Sequence, residues 1–149
     1  MTQENGESQA DMYAGVSYWI DIQRAEAEDR AMDGVLAARR CSACQGRLEQ
    51  SSALPSAADQ IKQIAECCAK QEDFIKSGMP LLEIVFRVLL KGGNQPMGLQ
   101  DIHYAVSEEW ARPTHPMNIA IDALKRALDQ DRFYGFAALV AEVETEASA

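Results

Sequence analysis

Apolar positions are densest between Pro80 and Lys91. Leu81, Leu82, Ile84, Val85, Phe86, Val88, Leu89 and Leu90 leave only Glu83 and Arg87 polar there. A helix that is apolar nearly all round is a buried helix. Pro80 suits a first helical turn and Gly92-Gly93 an exit. At 12 residues the segment is well short of the roughly 20 needed to cross a bilayer. Gly93 to Pro96 breaks the chain, and Met97 has room for a minimal strand. Leu99, Ile102, Val106 and Trp110 then recur at helical spacing, predicting a second helix over 99–110. The prolines at 113 and 116 stop it, because each biases its preceding residue away from helix. A third helix follows from Pro116, with Met117, Ala120, Ile121, Leu124 and Leu128 as its inner stripe. Asp129-Gln130-Asp131 ends it, and the aromatic run Arg132 to Phe136 reads as a strand.

The N-terminal part is patterned differently. Residues 1–10 show no apolar period and read as a disordered lead. Over 11–40 the chain reads as one long helix, capped by Asp11. Val16, Trp19 and Ile20, then Met32, Val35 and Leu36, form its stripe. The charged middle around Arg24 to Arg30 marks either a solvated helix or a break near Asp33-Gly34. The apolar end at Val16, Trp19 and Ile20 is expected to dock, on the chain's own core or on a partner or second copy. Ser56-Ala57-Ala58-Asp59 resembles a capped start to another helix, with Ile61, Ile64, Ala65 and Cys68 on one face. Residues 142–149 alternate acids with small side chains and read as a disordered tail.

Composition narrows the function classes. The 149 residues carry a formal charge of −9, which gives no electrostatic footprint for nucleic acid or anionic membrane. It favours basic partners. The absence of a secretory or membrane-spanning pattern makes the cytoplasm the expected compartment, where cysteines are reduced, buried or metal-bound rather than bridged.

Four cysteines carry the candidate chemistry. Cys41-Ser42-Ala43-Cys44 has C-x-x-C spacing, so that two thiolates can face one ion, and Gly46 would allow a tight turn beneath it. Arg39, Arg40 and Arg47 would offset thiolate charge. Cys67 and Cys68 follow after 22 intervening residues, an unusual adjacent pair. On one continuous helix these two would point about 100° apart. Both serve one ion only if the helix ends beside them. The favoured reading is a structural zinc held by Cys41, Cys44, Cys67 and Cys68. A site using His103 or His115 with three of the cysteines, and no metal at all, remain as alternatives. A disulfide-exchange role lacks the β-α-β surroundings such motifs keep. There is no Gly-rich phosphate loop, H-E-x-x-H or G-x-S-x-G, and no residue set suggests an enzyme.

Helix, Gln95-Pro96-Met97 step, a helix opening Leu99-Gln100-Asp101-Ile102, a helix carrying Ala123-Leu124 and an aromatic strand together resemble the HARE-type winged helix. That family includes the N-terminal domain of the delta subunit of bacterial RNA polymerase and domains of chromatin-associated proteins. The resemblance spans residues 80–136, or 57 residues. It implies a winged helix-turn-helix fold and work alongside the transcription machinery. The second wing strand is not evident in the sequence, and the third helix is not basic.

The expected architecture is therefore mainly α. A helix over 11–40 leads to a Cys-containing zinc segment over 41–77 and a winged-helix-like domain over 78–141. The expected function is a non-enzymatic, transcription-associated accessory or regulatory protein. Its alternative is a zinc-stabilised interaction adaptor unrelated to transcription. The expected partner face is Asn118, Asp122, Lys125, Arg126 and Arg132, and it favours protein, including RNA polymerase, over DNA. A homodimer through the N-terminal helix is a further expectation, and a membrane is not.

Overall fold

A computed structural model describes residues 13, 15–50, 52–76, 78–110 and 119–140. The protein is mainly helical with one small sheet. Strand β1 is Val16–Ile20, followed by helices α1 (Ile22–Ala27), α2 (Met32–Ala37), α3 (Ser42–Glu49) and α4 (Ala57–Glu66). A 3₁₀ turn, Cys68–Lys70, leads towards α5 (Leu81–Lys91), β2 (Met97–Gly98), α6 (Leu99–Trp110), α7 (Ile121–Gln130) and β3 (Phe136–Val140). Among the described residues no helix is long and apolar enough to cross a membrane.

The single helix expected over 11–40 is replaced by a strand and two short helices. Val16, Trp19 and Ile20 satisfy helical spacing, but Val-Ser-Tyr-Trp-Ile is also rich in β-branched and aromatic residues, with Val16, Tyr18 and Ile20 alternating onto one face. The alternation prevails, because Tyr18 and Ile20 both turn into the core and are essentially sealed from solvent. Trp19 faces the other way and stays half-buried. Asp21 then caps α1 through the Arg24 amide at 3.1 Å. Asp29, in the left-handed region at φ 67°, separates α1 from α2.

β1 is the middle strand of the sheet, in the order β2-β1-β3. It pairs antiparallel with both neighbours, Tyr18 opposite Met97 and Ala138, and Ile20 opposite Phe136. Asn94 extends the β2 side. Its side chain accepts the Ile20 N–H at 2.8 Å and donates to the Ile20 carbonyl at 2.9 Å, copying a strand's pairing. Val16, Trp19 and Ile20 thus belong to a strand inside the sheet, not to a docking helix.

The helices over 81–91 and 99–110 form as their patterns dictate. α7 begins at Ile121 with Ala120 as its extended N-cap, so the helix starts later than the Pro116 expected; Pro116 and Met117 themselves lie outside the described residues. The aromatic strand sits later than expected. The Asp131 carboxylate accepts the amides of Phe133, Tyr134 and Gly135 at 3.0 to 3.1 Å, holding 131–135 as a turn. Gly135 has φ 87°, and a Cβ there would come within 3.3 Å of the Ala25 Cβ. Pairing begins only at Phe136.

α5 is the buried axis of the core, and its one carboxylate is sealed with it. Glu83 accepts two hydrogen bonds from Arg39, at 2.7 and 2.8 Å, one from Arg87 at 2.8 Å and one from the Tyr134 hydroxyl at 2.8 Å. Each arginine also holds a backbone carbonyl at 2.7 Å, Arg39 that of Val35 and Arg87 that of Phe74. Burial would raise the Glu83 carboxyl, but Arg39, Arg87 and Tyr134 together hold it down at about 2. A carboxyl depressed from 4.5 when folded contributes stability above pH 4.5 and loses it as pH falls towards 2. Allowing for screening at its wetter edge, the contribution is roughly 2 kcal/mol. Glu83→Gln should therefore lower stability at pH 7 by about that amount, and the gap from wild type should shrink between pH 5 and pH 2. Urea unfolding across that range checks it; a gap independent of pH would contradict the assignment.

Candidate metal centre

Cys41 is the N-cap of α3 and Cys44 stands in its first turn, so the helical advance brings both thiols to one side. α4 delivers the other pair. It ends at Glu66, and Cys67 (φ −128°, ψ −68°) breaks the helical path before Cys68 enters the 3₁₀ turn. That break removes the divergence of adjacent helical positions. All four Sγ atoms lie within 4.8 Å of one another. Cys67 Sγ is 3.9 Å from Cys41 Sγ and 3.7 Å from Cys44 Sγ. A tetrahedron with metal–sulfur bonds of about 2.3 Å has edges of about 3.8 Å. These separations fit ligands around one ion and are far beyond a disulfide bond of about 2 Å.

Cys44 and Cys68 are fully buried, while Cys41 and Cys67 keep partial access to solvent. Two clefts reach the cluster. One, of about 400 Å³, has Arg40, Cys41, Ser42 and Cys68 in its wall; the other, of about 440 Å³, has Arg40, Cys44, Arg47 and Cys67. The Cys41 amide donates to Cys68 Sγ at 3.2 Å, and Arg47 Nη2 donates to Cys44 Sγ at 3.5 Å. Burial opposes ionisation of Cys44, but Arg40 and the three neighbouring thiols overcome it and bring its thiol down to about 6. The same coupling makes Cys67 the proton holder. Hydrogen bonding to Cys44 and Cys41, with some burial, pushes it up to about 11. Burial raises Cys68 as well.

Helix α3 is short of apolar anchorage. Cys44 is the only buried residue of α3. Gln45 Nε2 ties the helix back to the Arg40 carbonyl at 2.9 Å. On α4 the buried Gln60 donates to the carbonyls of Asp33 at 2.9 Å and Pro55 at 3.2 Å. Four soft sulfur donors within 4.8 Å of one another suit zinc or iron rather than a hard, oxygen-seeking cation.

The expected four cysteines are thus brought together, and they form the only such ligand group among the described residues. Other expectations change. Gly46 makes no tight turn under the cluster; it lies within α3 on its exposed side. Of the three arginines expected to offset thiolate charge, Arg40 and Arg47 do approach the sulfurs, but Arg39 is committed to Glu83. His103 lies on α6 and engages the Ile119 carbonyl at 2.6 Å, in a separate part of the fold. His115 and Asn118 lie outside the described residues. Asp122 receives the Tyr13 hydroxyl, and Lys125 pairs with Asp129 at 2.7 Å while Tyr18 donates to the same carboxylate at 2.5 Å. Arg126 and Arg132 are exposed. Arg40 itself went unrecognised as a buried residue, its signal being only a basic side chain adjoining a cysteine. Comparison with protein-family models, curated proteins and solved structures finds no match to this chain.

Proposed function

We propose that this chain is a zinc-stapled, non-enzymatic accessory or regulatory protein of transcription, working in the cytoplasm through protein contacts. The observation that carries the zinc is the convergence of four Sγ atoms within 4.8 Å from two distant segments. A structural ion there would lock α3 to the end of α4, replacing the apolar burial that α3 lacks. The transcription reading rests on the resemblance of 80–136 to the HARE-type winged helix. The order α5-β2-α6-α7-β3 supports it. The strand between β2 and β3 is β1, which comes from the N-terminal segment rather than from 80–136.

Protein is favoured over DNA by the charge on the expected reading face. A winged helix reads DNA with its third helix and a basic wing. Here Asp122 and Asp129 occupy α7, and Lys125 is drawn to Asp129. Residues 80–149 hold six Lys or Arg against ten Asp or Glu. Each phosphate contact needs a cation, and these supply most nonspecific affinity.

Protein purified without chelator should carry about one zinc per chain. Cys41→Ser and Cys44→Ser should each lose the metal and lower Tm, read by metal analysis and calorimetry. Metal-free protein of undiminished stability would overturn the zinc reading. Titrated against mixed-sequence and selected DNA at physiological salt, the protein should bind weakly and without sequence preference, while a pull-down with RNA polymerase should retain it. Tight selective DNA binding, abolished by Lys125→Ala with Arg126→Ala, would instead define a direct DNA-binding regulator.

A further inference from the structure

Arg40 is 8 % exposed, one of three buried polar or charged residues in the described protein. Its Nη1 donates to the neutral Gln60 Oε1 at 3.3 Å. Its Nε is the one buried side-chain polar atom among the described residues with no hydrogen-bond partner. No carboxylate compensates it, since the ion pairs among the described residues join Arg39 and Arg87 to Glu83 and Lys125 to Asp129. A guanidinium does not shed its proton, and a buried charge persists only when it is paired. Arg40 shares one cleft wall with Cys68 and another with Cys44, and these two buried sulfurs favour its charged form.

Neutral thiols are poor acceptors and carry no counter-charge. Four thiolates around a divalent ion carry −2, buried beside the guanidinium. Resting on the zinc reading above, we infer that Arg40 is the outer-sphere counter-ion of the metal centre, donating to the metal-bound sulfurs of Cys44 and Cys68. Gln60 fixes its far side and so aims it at the sulfurs. Arg47 adds a second cation at Cys44 from the exposed side, and the Cys41 amide adds a neutral donor at Cys68. Arg40 is a positioning residue: it sets a positive charge beside the metal-bound sulfurs and touches no ion itself.

The test uses the full chain loaded with zinc, with cobalt(II) as a spectroscopic stand-in, and competed against a chromogenic chelator. Arg40→Met should weaken metal retention about 10- to 100-fold and shift the sulfur-to-cobalt charge-transfer band. Arg40→Lys, which keeps the charge, should recover most of the loss. A folded Arg40→Met that holds zinc as tightly as wild type with an unchanged band would overturn the inference and leave the zinc site standing. So would an equal loss in Arg40→Lys. A wild-type chain that takes up neither metal would overturn the zinc reading, and this inference with it. Should Arg40→Met fail to fold, the wild type decides. With ¹¹³Cd bound, the Arg40 Nε–H resonance should be coupled to cadmium through the N–H···S bond, and an uncoupled Nε–H would overturn the assignment.

Discussion

Glu83 gathers donors from three separated parts of the chain. Arg39 comes from the turn after α2, Arg87 from its own helix, and Tyr134 from the turn after α7. A carboxylate sealed inside α5 would cost several kcal/mol if unpaired. Four hydrogen bonds and two guanidiniums reverse that penalty, so the helix can be buried only with all three parts in place. The aromatic side chains obey the same constraint. The Arg39 guanidinium lies 5.1 Å from the Phe86 ring centre and 5.8 Å from that of Tyr134, and Phe86 and Tyr134 pack 4.9 Å apart.

The sheet adds a second constraint of the same kind. β2 has two residues and β3 five, and neither pairs with the other. Both depend on β1, brought from the far end of the sequence. Tyr13 and Tyr18 then reach across to the carboxylates of α7, so the N-terminal segment also fixes the last helix. The C-terminal elements from α5 to β3 therefore do not close their own sheet.

Much of this was legible in the sequence. The solid apolar run of α5 and the helical spacing of α6 admit one reading each, and both elements appear where the pattern places them. The Ser56 cap of α4 was equally direct, its side chain accepting the Asp59 amide at 3.2 Å. The four cysteines could be named because few other residue types suit a soft ion, though their convergence depended on a helix ending at Glu66. What failed was decided by long-range pairing. Val16, Trp19 and Ile20 fit helix and strand alike, and only β2 and β3 settle the choice. β3 starts later than its aromatic run suggests because Asp131, one acidic side chain, gathers four amides into a turn. Arg39 and Arg40 look equivalent in sequence, and nothing local predicts that one finds a carboxylate and the other the thiols.

That divergence links the two charged centres. Arg39, Arg40 and Cys41 are consecutive, and they serve the core carboxylate, the sulfur cluster's flank and the cluster itself. Holding Arg39 on Glu83 fixes the backbone that starts α3, and so the place from which Cys41 and Cys44 approach. In return, α3 buries only Cys44, so its position depends on whatever binds the sulfurs. A tetrahedral ion would supply both what this helix lacks in apolar burial and the negative charge that Arg40 lacks. Without an ion, the same geometry would leave a guanidinium buried beside thiols, with the pKa of Cys44 pulled down and those of Cys67 and Cys68 raised. The buried arginine and the poorly anchored helix are independent features. A single metal ion would account for both.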